Sequence, residues 1–366
     1  LVGSEMCIRD SYLIMAGGTG GHIFPALAVA EVLQDKGNEV IWLGSQDSME
    51  ERLLPKYGFP LEIIPMKGLR GKGLKRMVEM PGMLISSIRD VKKIIDRYHI
   101  AAAIGFGGFV TFPGGVAAYL KGIPLAVHEQ NAIPGLANRL LSKIAKRVFY
   151  AFPDTFSDKE GYVGNPVRQE IVALPLPALR FEGRRGPLRL LVLGGSLGAE
   201  VFNQRLPAII AHLKYGDRPI ILHQTGENRQ QEVEKSYRRA GVEAQVVGFI
   251  QDIASVYSET DYLICRAGAL TLSELEAAGL GGFLVPYPLA VDDHQTKNGQ
   301  VFASLGAGVV VAQPHFTEET MVEQLRSLSR QRCLSWAQQA REASKSDAAF
   351  KIASALIALT EVQKKK

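Results

Sequence analysis

The sequence has few cysteines and no marked excess of one charge. Its 3 cysteines in 366 residues lie far apart, at Cys7, Cys265 and Cys333. This spacing excludes a Cys-x-x-Cys metal site and a disulfide framework, and it favours a reducing compartment. The 42 Lys and Arg exceed the 37 Asp and Glu to give a net charge of +5. That excess is compatible with an anionic substrate or a membrane surface, but it is too small to identify either.

The sequence also lacks an uninterrupted apolar run of membrane-spanning length. Ile100–Leu120 carries no charge and is long enough to cross a bilayer, but several glycines and Pro113 interrupt it. We therefore expect a strand, a glycine loop and a helix in this stretch. Residues 1–11 contain no apolar run of signal-peptide length, and we interpret them as an extraneous or disordered extension.

Short apolar runs alternate with helical patterns along the chain. Hydrophobic residues make up 46% of the sequence and charged residues 22%, which is an ordinary balance for a globular protein. Buried strands that alternate with helices predict βαβ units and parallel sheets. The predicted strands are Tyr12–Ala16, Val40–Leu43, Ala101–Ile104, Leu125–Val127, Val148–Tyr150, Leu190–Leu193, Ile220–His223, Gln245–Val247, Tyr262–Cys265, Phe283–Val285 and Val309–Val311. The predicted helices include Ala26–Asp35, Glu227–Ala240, Glu318–Ser329 and Ala337–Leu359.

A strand, a Gly-Gly-Thr/Ser loop and a helix occur in this order twice. Gly17-Gly18-Thr19 follows the first strand, and Gly194-Gly195-Ser196 follows a strand about half a chain later. We therefore predict an α/β fold with two Rossmann-like, doubly wound domains in tandem. The predicted boundaries are residues 12–168 for the N-terminal domain, 169–187 for a Pro-, Gly- and Arg-rich linker, 188–345 for the C-terminal domain and 346–366 for a C-terminal helix and basic tail.

The glycine loops are candidate phosphate sites. A glycine turn that enters a helix lets backbone N–H groups approach an anion, and the helix N-terminus adds positive potential. The dinucleotide fingerprint G-x-G-x-x-G fails because Ile23 occupies its third glycine position, and no Walker GK[ST] sequence occurs. The loops are therefore predicted to bind phosphate, but not as a dinucleotide-binding or Walker-type loop. The alternative is that they are only tight strand–helix turns.

Two positions are candidates for a general base. His22 directly follows the first glycine loop, and histidine titrates nearest to neutral pH. Glu129 belongs to His128-Glu129-Gln130-Asn131, at the carboxyl end of a predicted strand, where open α/β sheets bind ligands. We rank His22 first and Glu129 second. The structural alternatives are a histidine that only caps its turn and a polar loop that precedes a helix.

The helix after the Tyr262–Cys265 strand is a candidate site for a nucleoside diphosphate. Arg266 precedes this helix, and Glu274 can bind ribose hydroxyls through its two acceptor oxygens. Thr271 and Glu274 also match the T-x-x-E capping box, which is a purely structural alternative. Further on, Asp292-Asp293-His294 is predicted to be a polar substrate loop rather than a metal site, because its ligand spacing is poor and no D-x-D triplet occurs.

Residues 67–88 combine positive charge with apolar side chains. The cations are Lys67, Arg70, Lys72, Lys75 and Arg76, and the apolar residues that follow include Met77, Met80, Met83, Leu84 and Ile88. We predict that a membrane patch, consisting of Lys72, Lys75, Arg76, Met77 and Met80, rests on anionic lipid. A solvated loop before a core-facing helix is the alternative. Nucleic acid is disfavoured because no aromatic residue is interleaved for base stacking.

A series of motifs occurs in one order between residues 12 and 360, namely GGTGGHIFPALAVA, GFGGFVTFPG, HEQNAIPGLANRLL, GNPVR, GGSLGA, HQTGE, CRAGALTLSEL and DDHQTKN. With these motifs the chain resembles the MurG-type N-acetylglucosaminyltransferase family of peptidoglycan synthesis. The resemblance implies a GT-B glycosyltransferase fold, no cofactor and no obligatory metal. It implies inverting transfer of N-acetylglucosamine from UDP-N-acetylglucosamine to undecaprenyl-diphospho-N-acetylmuramyl-pentapeptide, which converts lipid I to lipid II. UDP-N-acetylglucosamine epimerases share the fold and are the alternative.

The resemblance further implies where the protein works and with what. It indicates a peripheral enzyme on the cytoplasmic face of the inner membrane, active in cell-wall biogenesis, cell shape and cell division. The implied partners are UDP-N-acetylglucosamine, the polyprenyl-diphosphate-linked muramyl peptide, an anionic membrane surface and other proteins of cell-wall synthesis and division, but no nucleic acid.

Substrate contacts are implied position by position. Those to the donor sugar or to a diphosphate are Thr19, Gly20, Gly21, Asn131, Arg168, Ser196 and Gln295. Ile250 matches a contact to uracil, and the helix that holds diphosphate and ribose comprises Ala269, Leu270, Thr271, Leu272, Ser273 and Glu274. The chain departs from the family at Gly281-Gly282, where a Gly-Leu-Pro run is usual, and we expect this change to loosen the following strand.

Overall fold

The computed structural model describes residues 9–66, 74–195 and 198–364 and divides the chain into two compact units. Unit 1 comprises the chain up to Arg168 together with the chain from Ser346 onward, and unit 2 comprises Gln169–Lys345. Within the described residues, each unit contains one parallel six-stranded sheet with its own hydrophobic core. The predicted α/β class with two Rossmann-like sheets is therefore confirmed.

The sheet of unit 1 consists of β1 (Ser11–Ala16), β2 (Glu39–Ser45), β3 (Leu61–Ile64), β4 (Ile100–Gly107), β5 (Leu125–Glu129) and β6 (Arg147–Tyr150). Its strand order is β3-β2-β1-β4-β5-β6, and neighbouring strands are parallel. From β1 the chain adds β2 and β3 on one side of the sheet and then β4, β5 and β6 on the other, so the strand order switches between β1 and β4. In open α/β sheets such a switch point opens a ligand crevice at the carboxyl ends of the strands.

Among the described residues, the helices between these strands are α1 (Gly20–Asp35), α2 (Met49–Leu53), α3 (Leu74–Arg97), α4 (Thr111–Leu120) and α5 (Leu136–Leu141). Alternate residues of β1 enter two different cores because successive side chains of a strand point to opposite faces. Tyr12 and Ile14 pack in the core that contains α1, whereas Leu13 and Met15 pack in the core that contains α3 and α4. The sheet is thus covered by helices on both faces, as expected for a doubly wound fold.

Strand β3 is absent from the sequence-based predictions. It lies at the edge of the sheet and pairs with β2 only. Ile64 is buried, but Ile63 is 41% exposed and the other two residues are only partly buried. A short edge strand therefore lacks the continuous apolar run by which the central strands are recognised.

The uncharged stretch Ile100–Leu120 consists of a strand, a glycine loop and a helix, as the sequence predicts. Strand β4 ends at Gly107, and α4 begins at Thr111. Throughout the part of the chain that the structure describes, no helix is both long enough and apolar enough to cross a membrane.

The strands of unit 2 are β7 (Arg189–Leu193), β8 (Ile220–Gln224), β9 (Gln245–Val247), β10 (Tyr262–Cys265), β11 (Gly282–Leu284) and β12 (Gly308–Val310). Their order is β9-β8-β7-β10-β11-β12, which corresponds strand for strand to the order in unit 1, and all described pairs are parallel. The helices of unit 2 are α6 (Gln169–Val172), α7 (Pro177–Phe181), α8 (Glu200–Ala211), α9 (Gln230–Arg239), α10 (Ile253–Glu259), α11 (Ala269–Ala278), α12 (His294–Ser304), α13 (Glu318–Arg326) and α14 (Arg330–Ala343).

Residues 169–187, which the sequence analysis assigns to a linker, pack within unit 2. Phe181 belongs to the hydrophobic core of this unit. The Arg184 guanidinium pairs with the fully buried carboxylate of Asp261 at an N–O distance of 2.6 Å. The chain therefore passes from unit 1 to unit 2 directly after Arg168.

The helical pattern at Ala337–Leu359 belongs to two helices, α14 and a further helix, α15 (Ala348–Lys364). Ser344 has an extended backbone, with φ of −59° and ψ of 133°, and this conformation ends α14. Helix α15 returns to unit 1, where Ile352 and Leu356 enter the core that contains α1. Four consecutive polar residues, Ser344-Lys345-Ser346-Asp347, stand at the break, and the predicted single pattern overlooks them.

Gly281-Gly282 does not loosen the strand that follows. Strand β11 begins at Gly282 and pairs with β10 on one side and β12 on the other. A Cβ on Gly281 would lie 2.0 Å from the Ala307 carbonyl oxygen, and one on Gly282 would lie 2.1 Å from that of Leu263. The expectation was wrong because these glycines allow the neighbouring backbones to approach closely.

Candidate active site

The first glycine loop connects β1 to α1 at the switch point of the unit 1 sheet. Gly18 has a φ of 93°, a left-handed conformation that favours glycine. Thr19 is the N-cap of α1, but its side chain makes no capping hydrogen bond. Gly18 and Thr19 are exposed, so the first-turn amides of α1 begin at an accessible loop. Such a helix start attracts an anion such as phosphate.

His22 lies in the first turn of α1, with its ring against both glycine loops of unit 1. Its Nδ1 is 3.1 Å from the carbonyl oxygen of Gly17. Because a carbonyl can only accept, Nδ1 carries the proton of the neutral ring and Nε2 is the basic atom. A Cβ on Gly107 would lie 2.9 Å from Nε2, so glycine at this position leaves room for the ring. The geometry suits a general base that acts through Nε2.

The second glycine loop, between β4 and α4, packs against the first. The Thr111 hydroxyl accepts a hydrogen bond from the Gly107 N–H at 3.1 Å and lies 2.7 Å from the Gly107 carbonyl oxygen. A Cβ on Gly108 would lie 2.4 Å from the carbonyl oxygen of Gly17. The close approach requires glycine at Gly108, and the buried hydroxyl of Thr111 holds the loop in place.

Glu129, the second candidate base, accepts four hydrogen bonds from the loop that follows it and from α5. One carboxylate oxygen accepts from the backbone N–H and the side-chain amide of Asn131, at 2.9 and 3.3 Å. The other accepts from the Gly135 N–H at 3.0 Å and from the Asn138 amide at 2.9 Å. A buried carboxylate with this many donors shapes the loop that presents Asn131, and the geometry therefore favours His22 as the base.

His128 connects this loop to the Gly164-Asn165 motif. Its Nε2 lies 2.9 Å from the Gly164 carbonyl oxygen, and its Nδ1 lies 3.1 Å from the side-chain nitrogen of Gln130. Burial lowers the pKa of His128 to about 4, so the ring is neutral, with Nε2–H donating to Gly164. The side-chain amide of Asn165 donates to the Gln130 carbonyl at 3.2 Å. These bonds hold together the two segments that carry Asn131 and Arg168.

Arg168 stacks on helix α1. Its guanidinium carbon lies 5.0 Å from the centre of the Phe24 ring, which is a cation–π distance. A Cβ on Gly20 would lie 3.0 Å from the same ring. Phe24 therefore connects Arg168 with the first turn of α1, and two of the residues expected to bind phosphate belong to one region of unit 1.

The first loop of unit 2 also depends on glycine. Gly195 and Gly198 have φ values of 80° and 74°. A Cβ on Gly198 would lie 1.9 Å from the Thr225 carbonyl oxygen, so the turn into α8 excludes any side chain there. Ser196, the expected diphosphate contact, lies outside the described residues.

Helix α11 begins at Ala269 with Gly268 as its N-cap. The capping-box alternative is therefore wrong, because Thr271 already lies within the first turn. Ala269, Leu270 and Thr271 instead provide the first-turn amides, whose N–H groups have no acceptor within the helix. This N-terminus follows directly from the carboxyl end of β10, where α/β sheets bind ligands.

Glu274 is on the same helix and only 7% exposed. One of its carboxylate oxygens accepts a hydrogen bond from the Tyr257 hydroxyl at 3.1 Å. This bond fixes the carboxylate from the side of α10. Leu272 and Ser273, the neighbouring positions, are also buried.

Arg266 is held beside the start of α11 by aromatic rings and carbonyl groups. Its guanidinium carbon lies 5.1 Å from the Phe202 ring centre and 5.3 Å from that of Tyr287. It donates hydrogen bonds to the carbonyls of Val285 and Pro286 at 3.1 and 3.2 Å. Burial lowers the pKa of this guanidinium from its ordinary value. Arg266 thus fixes the loop after β11 against α11.

Further expected positions of unit 2 lie in the loops before α10 and α12 and in the first turn of α12. Ile250 is half-buried and precedes α10. The side-chain oxygen of Gln295 accepts a hydrogen bond from the Tyr287 N–H at 2.9 Å. Asp292 and Asp293 are exposed in left-handed conformations, with φ of 54° and 51°. Across the described ranges, no group of three or more His, Cys, Asp or Glu is arranged to hold a metal ion.

The membrane patch lies largely outside the described side chains. The structure gives no position for the side chains of Lys72, Lys75, Arg76 and Met77, although α3 begins at Leu74. Met80 is 36% exposed, and Ile85 on the same helix is 51% exposed. The patch therefore stays a prediction.

Sequence reasoning missed Glu50. This residue lies in the short helix α2 and is fully buried. Its carboxylate accepts hydrogen bonds from the N–H of Gly18 at 3.2 Å and from the N–H and hydroxyl of Ser45, both at 3.0 Å. Glu50 stands in the polar run Ser48-Met49-Glu50-Glu51-Arg52, which reads as a solvated helix, so the pattern gives no sign of its burial.

The two sheets, the glycine loops and the helix N-termini described above have a counterpart in a known family. Residues 12–150 match the Glycosyltransferase family 28 N-terminal domain, and residues 189–356 match the Glycosyltransferase family 28 C-terminal domain. The chain belongs to glycosyltransferase family 28, and the resemblance identified from its motifs is confirmed.

The relatives and structural neighbours are more specific. The chain is 52% identical over 348 residues to the UDP-N-acetylglucosamine--N-acetylmuramyl-(pentapeptide) pyrophosphoryl-undecaprenol N-acetylglucosamine transferase of Neisseria gonorrhoeae (strain NCCP11945), covering 95% of this chain and 98% of that protein. The crystal structure of Acinetobacter baumannii MurG matches with a TM-score of 0.84 at 37% identity, over 95% of this chain and 99% of that one. UDP-GlcNAc 2-epimerase from Neisseria meningitidis matches with a TM-score of 0.65 at 12% identity, over 95% and 100% of the two chains, and this likeness shows the fold alone.

Proposed function

We propose that the protein transfers N-acetylglucosamine from UDP-N-acetylglucosamine to undecaprenyl-diphospho-N-acetylmuramyl-pentapeptide, with inversion at the anomeric carbon. The observation that carries the proposal is the 52% identity, over 95% of this chain, to an enzyme named for this transfer. The epimerase alternative is not favoured, because its likeness to this chain amounts to 12% identity.

Unit 2 binds the donor in this proposal. The diphosphate lies at the N-terminus of α11, where the free amides of Ala269, Leu270 and Thr271 and the helix dipole stabilise negative charge. Glu274 accepts hydrogen bonds from the ribose hydroxyls, while Ile250 contacts uracil. Gln295 contacts the donor sugar, and its bond to the Tyr287 N–H supports the proposal because it orients the side-chain amide.

Unit 1 provides the acceptor site and the base. The acceptor diphosphate binds at the start of α1, to Thr19, Gly20 and Gly21, and Asn131 contacts the donor sugar. Nε2 of His22 takes the proton of the acceptor sugar hydroxyl as that oxygen forms its bond to the anomeric carbon. The bond from the anomeric carbon to the phosphate oxygen breaks at the same time. UDP leaves with the electron pair of that bond on the face opposite the attack, which inverts the configuration.

The leaving UDP gains negative charge, and the chain has its own means of stabilising it. The α11 N-terminus, the Ser196 loop and the Arg168 guanidinium supply positive potential and hydrogen-bond donors. No obligatory metal is needed in this scheme. The polar Asp292-Asp293-His294 loop then serves the substrate rather than an ion.

The acceptor carries a polyprenyl tail, so we propose that the enzyme is peripheral and works on the cytoplasmic face of the inner membrane. The cations of the membrane patch attract anionic lipid, and Met80 and Ile85 offer exposed apolar contacts. Association with other proteins of cell-wall synthesis and division stays a prediction of the resemblance.

One experiment separates the candidate functions. The full chain is incubated with radiolabelled UDP-N-acetylglucosamine, with and without the lipid-linked acceptor, and the products are identified. We expect label in the lipid product only when the acceptor is present, together with one equivalent of released UDP. Formation of an epimeric sugar nucleotide without acceptor would instead favour the epimerase, and binding without any product would favour a nucleotide-sugar-binding regulator.

A further inference from the structure

Glu50 has an environment that is built around its carboxylate. The side chain is 0% exposed, whereas Glu51, the next residue, is exposed. A Cβ on Gly17 would lie 2.7 Å from a Glu50 carboxylate oxygen, and one on Gly44 would lie 2.8 Å from its Cγ. Gly17, directly after β1, and Gly44, near the end of β2, thus make room for this side chain. A buried carboxylate is costly unless donors satisfy it, and three donors do so here.

The carboxylate is hydrogen-bonded to one end of a single peptide group. The Gly18 N–H donates to Glu50 at 3.2 Å, and the Gly17 carbonyl, which belongs to the same peptide group, lies 3.1 Å from Nδ1 of His22. A trans peptide is planar, so its N–H and C=O point in opposite directions. Glu50 and His22 therefore hold the Gly17–Gly18 peptide from its two sides.

This arrangement determines which way the peptide carbonyl points. If the peptide rotated, the Gly18 N–H would lose its buried acceptor, and a buried polar group without a partner is unfavourable. With the carbonyl fixed toward His22, the neutral ring keeps its proton on Nδ1 and leaves Nε2 free of it. A carboxylate at the N–H end also polarises the peptide and strengthens the carbonyl as an acceptor, because linked hydrogen bonds reinforce one another.

We infer that Glu50 is a positioning residue that acts on His22 through the Gly17–Gly18 peptide and selects the tautomer in which Nε2 is the base. The inference rests on the proposed function, in which His22 takes the acceptor proton. It assigns Glu50 no contact with substrate. It also gives a reason for glycine at positions 17 and 44 that is independent of phosphate binding.

The first test is spectroscopic and needs no substrate. Nitrogen NMR of the full chain with ¹⁵N-labelled histidine reports the tautomer of each neutral ring, and the signal lost in His22→Gln identifies His22. We expect a pyrrole-type Nδ1 and a pyridine-type Nε2 in the wild type. In Glu50→Gln, an NH₂ group replaces one of the two acceptor oxygens and can take the place opposite the Gly18 N–H. The peptide is then held less firmly, and we expect a mixture of His22 tautomers. A wild-type ring with its proton on Nε2 would overturn the inference.

The second test is kinetic, with Glu51→Gln as the matched control on the same helix. We expect Glu50→Gln to lower kcat by at least about tenfold, which is less than the full contribution of a positioned base because His22 is still present. The KM for UDP-N-acetylglucosamine should stay within about twofold of the wild type. The control should behave as the wild type. Equal kcat values and equal tautomers in the two variants would show that Glu50 has a structural role only.

If Glu50→Gln does not fold, Glu50→Asp replaces it, because the shorter side chain keeps the charge but no longer reaches the Gly18 N–H. The same fall in kcat and the same loss of tautomer preference are expected, and wild-type behaviour of this variant would contradict the inference. Failure of the proposed function is a distinct result. In that case the wild-type chain yields no transfer product, while the tautomer of His22 still reports the link to Glu50.

Discussion

Removal of the Glu274 carboxylate should weaken the binding of UDP more than it weakens the fold. Glu274 is 7% exposed, and one of its oxygens accepts from the Tyr257 hydroxyl at 3.1 Å. Hydrogen bonds from ribose hydroxyls to a carboxylate contribute about 1.5–3 kcal/mol. At about 1.4 kcal/mol for each factor of ten, Glu274→Ala should raise the dissociation constant of UDP by about 10- to 150-fold. Isothermal titration calorimetry measures this change directly.

Tyr257→Phe is the matched control for Glu274→Ala. It removes the same internal hydrogen bond but keeps the carboxylate, so both variants should lose about 1 kcal/mol of unfolding free energy. Only Glu274→Ala should lose UDP affinity. UDP that lacks both ribose hydroxyls should bind the wild type and Glu274→Ala about equally. If Glu274→Ala lowers the melting temperature but leaves UDP affinity unchanged, ribose recognition by Glu274 is refuted and the role of this residue is structural.

Four further predictions concern the reaction, stability and location. Activity should survive excess chelator, since helix N-termini and not an ion stabilise the diphosphate in this scheme. A loss of activity of more than about tenfold, reversed by added magnesium or manganese, would contradict it. His22→Ala should lower kcat by about 10²–10⁴ with little change in donor affinity, and a larger effect of Glu129→Ala on turnover would reverse the ranking of the two bases. Burial lowers the pKa of His128 to about 4, below the roughly 6.5 of a solvated histidine, so the unfolded chain takes up a proton that the native ring does not. The free energy of unfolding contributed by this residue should therefore fall by about 3 kcal/mol between pH 7 and pH 4, and urea titrations of His128→Gln should show a shallower pH dependence than the wild type. Changing the three basic residues of the membrane patch to Glu should reduce salt-sensitive binding to anionic vesicles and activity on the lipid acceptor. Activity on a short-chain soluble acceptor should not change. Unchanged co-sedimentation with vesicles would place the membrane contact elsewhere.

The central strands could be predicted from the sequence because parallel strands are buried on both faces. β10 has the bounds that its apolar run predicts, and β1, β7 and β8 differ by one residue. The glycine loops were equally clear, since their composition is unusual and their place after a strand is fixed by the fold class. What these signals share is that each is local to a few consecutive residues.

The missed features depend on contacts between residues far apart in sequence. Glu50 reads as a surface residue because nothing in its own helix shows that the Gly18 N–H will meet its carboxylate. The partner of Glu274 was hidden in the same way, since Thr271 and Glu274 match a capping motif by spacing but Glu274 bonds to Tyr257 instead. Spacing in the sequence does not distinguish a partner within the helix from one on a neighbouring helix.

The return of α15 to unit 1 has a consequence for the order in which the protein folds during synthesis. All of unit 2 is translated before α15, and unit 2 is one continuous segment. Unit 1 consists of two segments, and its core includes Ile352 and Leu356 of α15. A nascent chain can therefore complete unit 2 on the ribosome while the face of α1 that α15 will cover remains open to water and to chaperones. A premature stop codon just before Ala348 would leave unit 2 whole but would remove α15 from the core of unit 1. The defect would lie more than 300 residues along the chain from β1, the first strand of the unit that it disables.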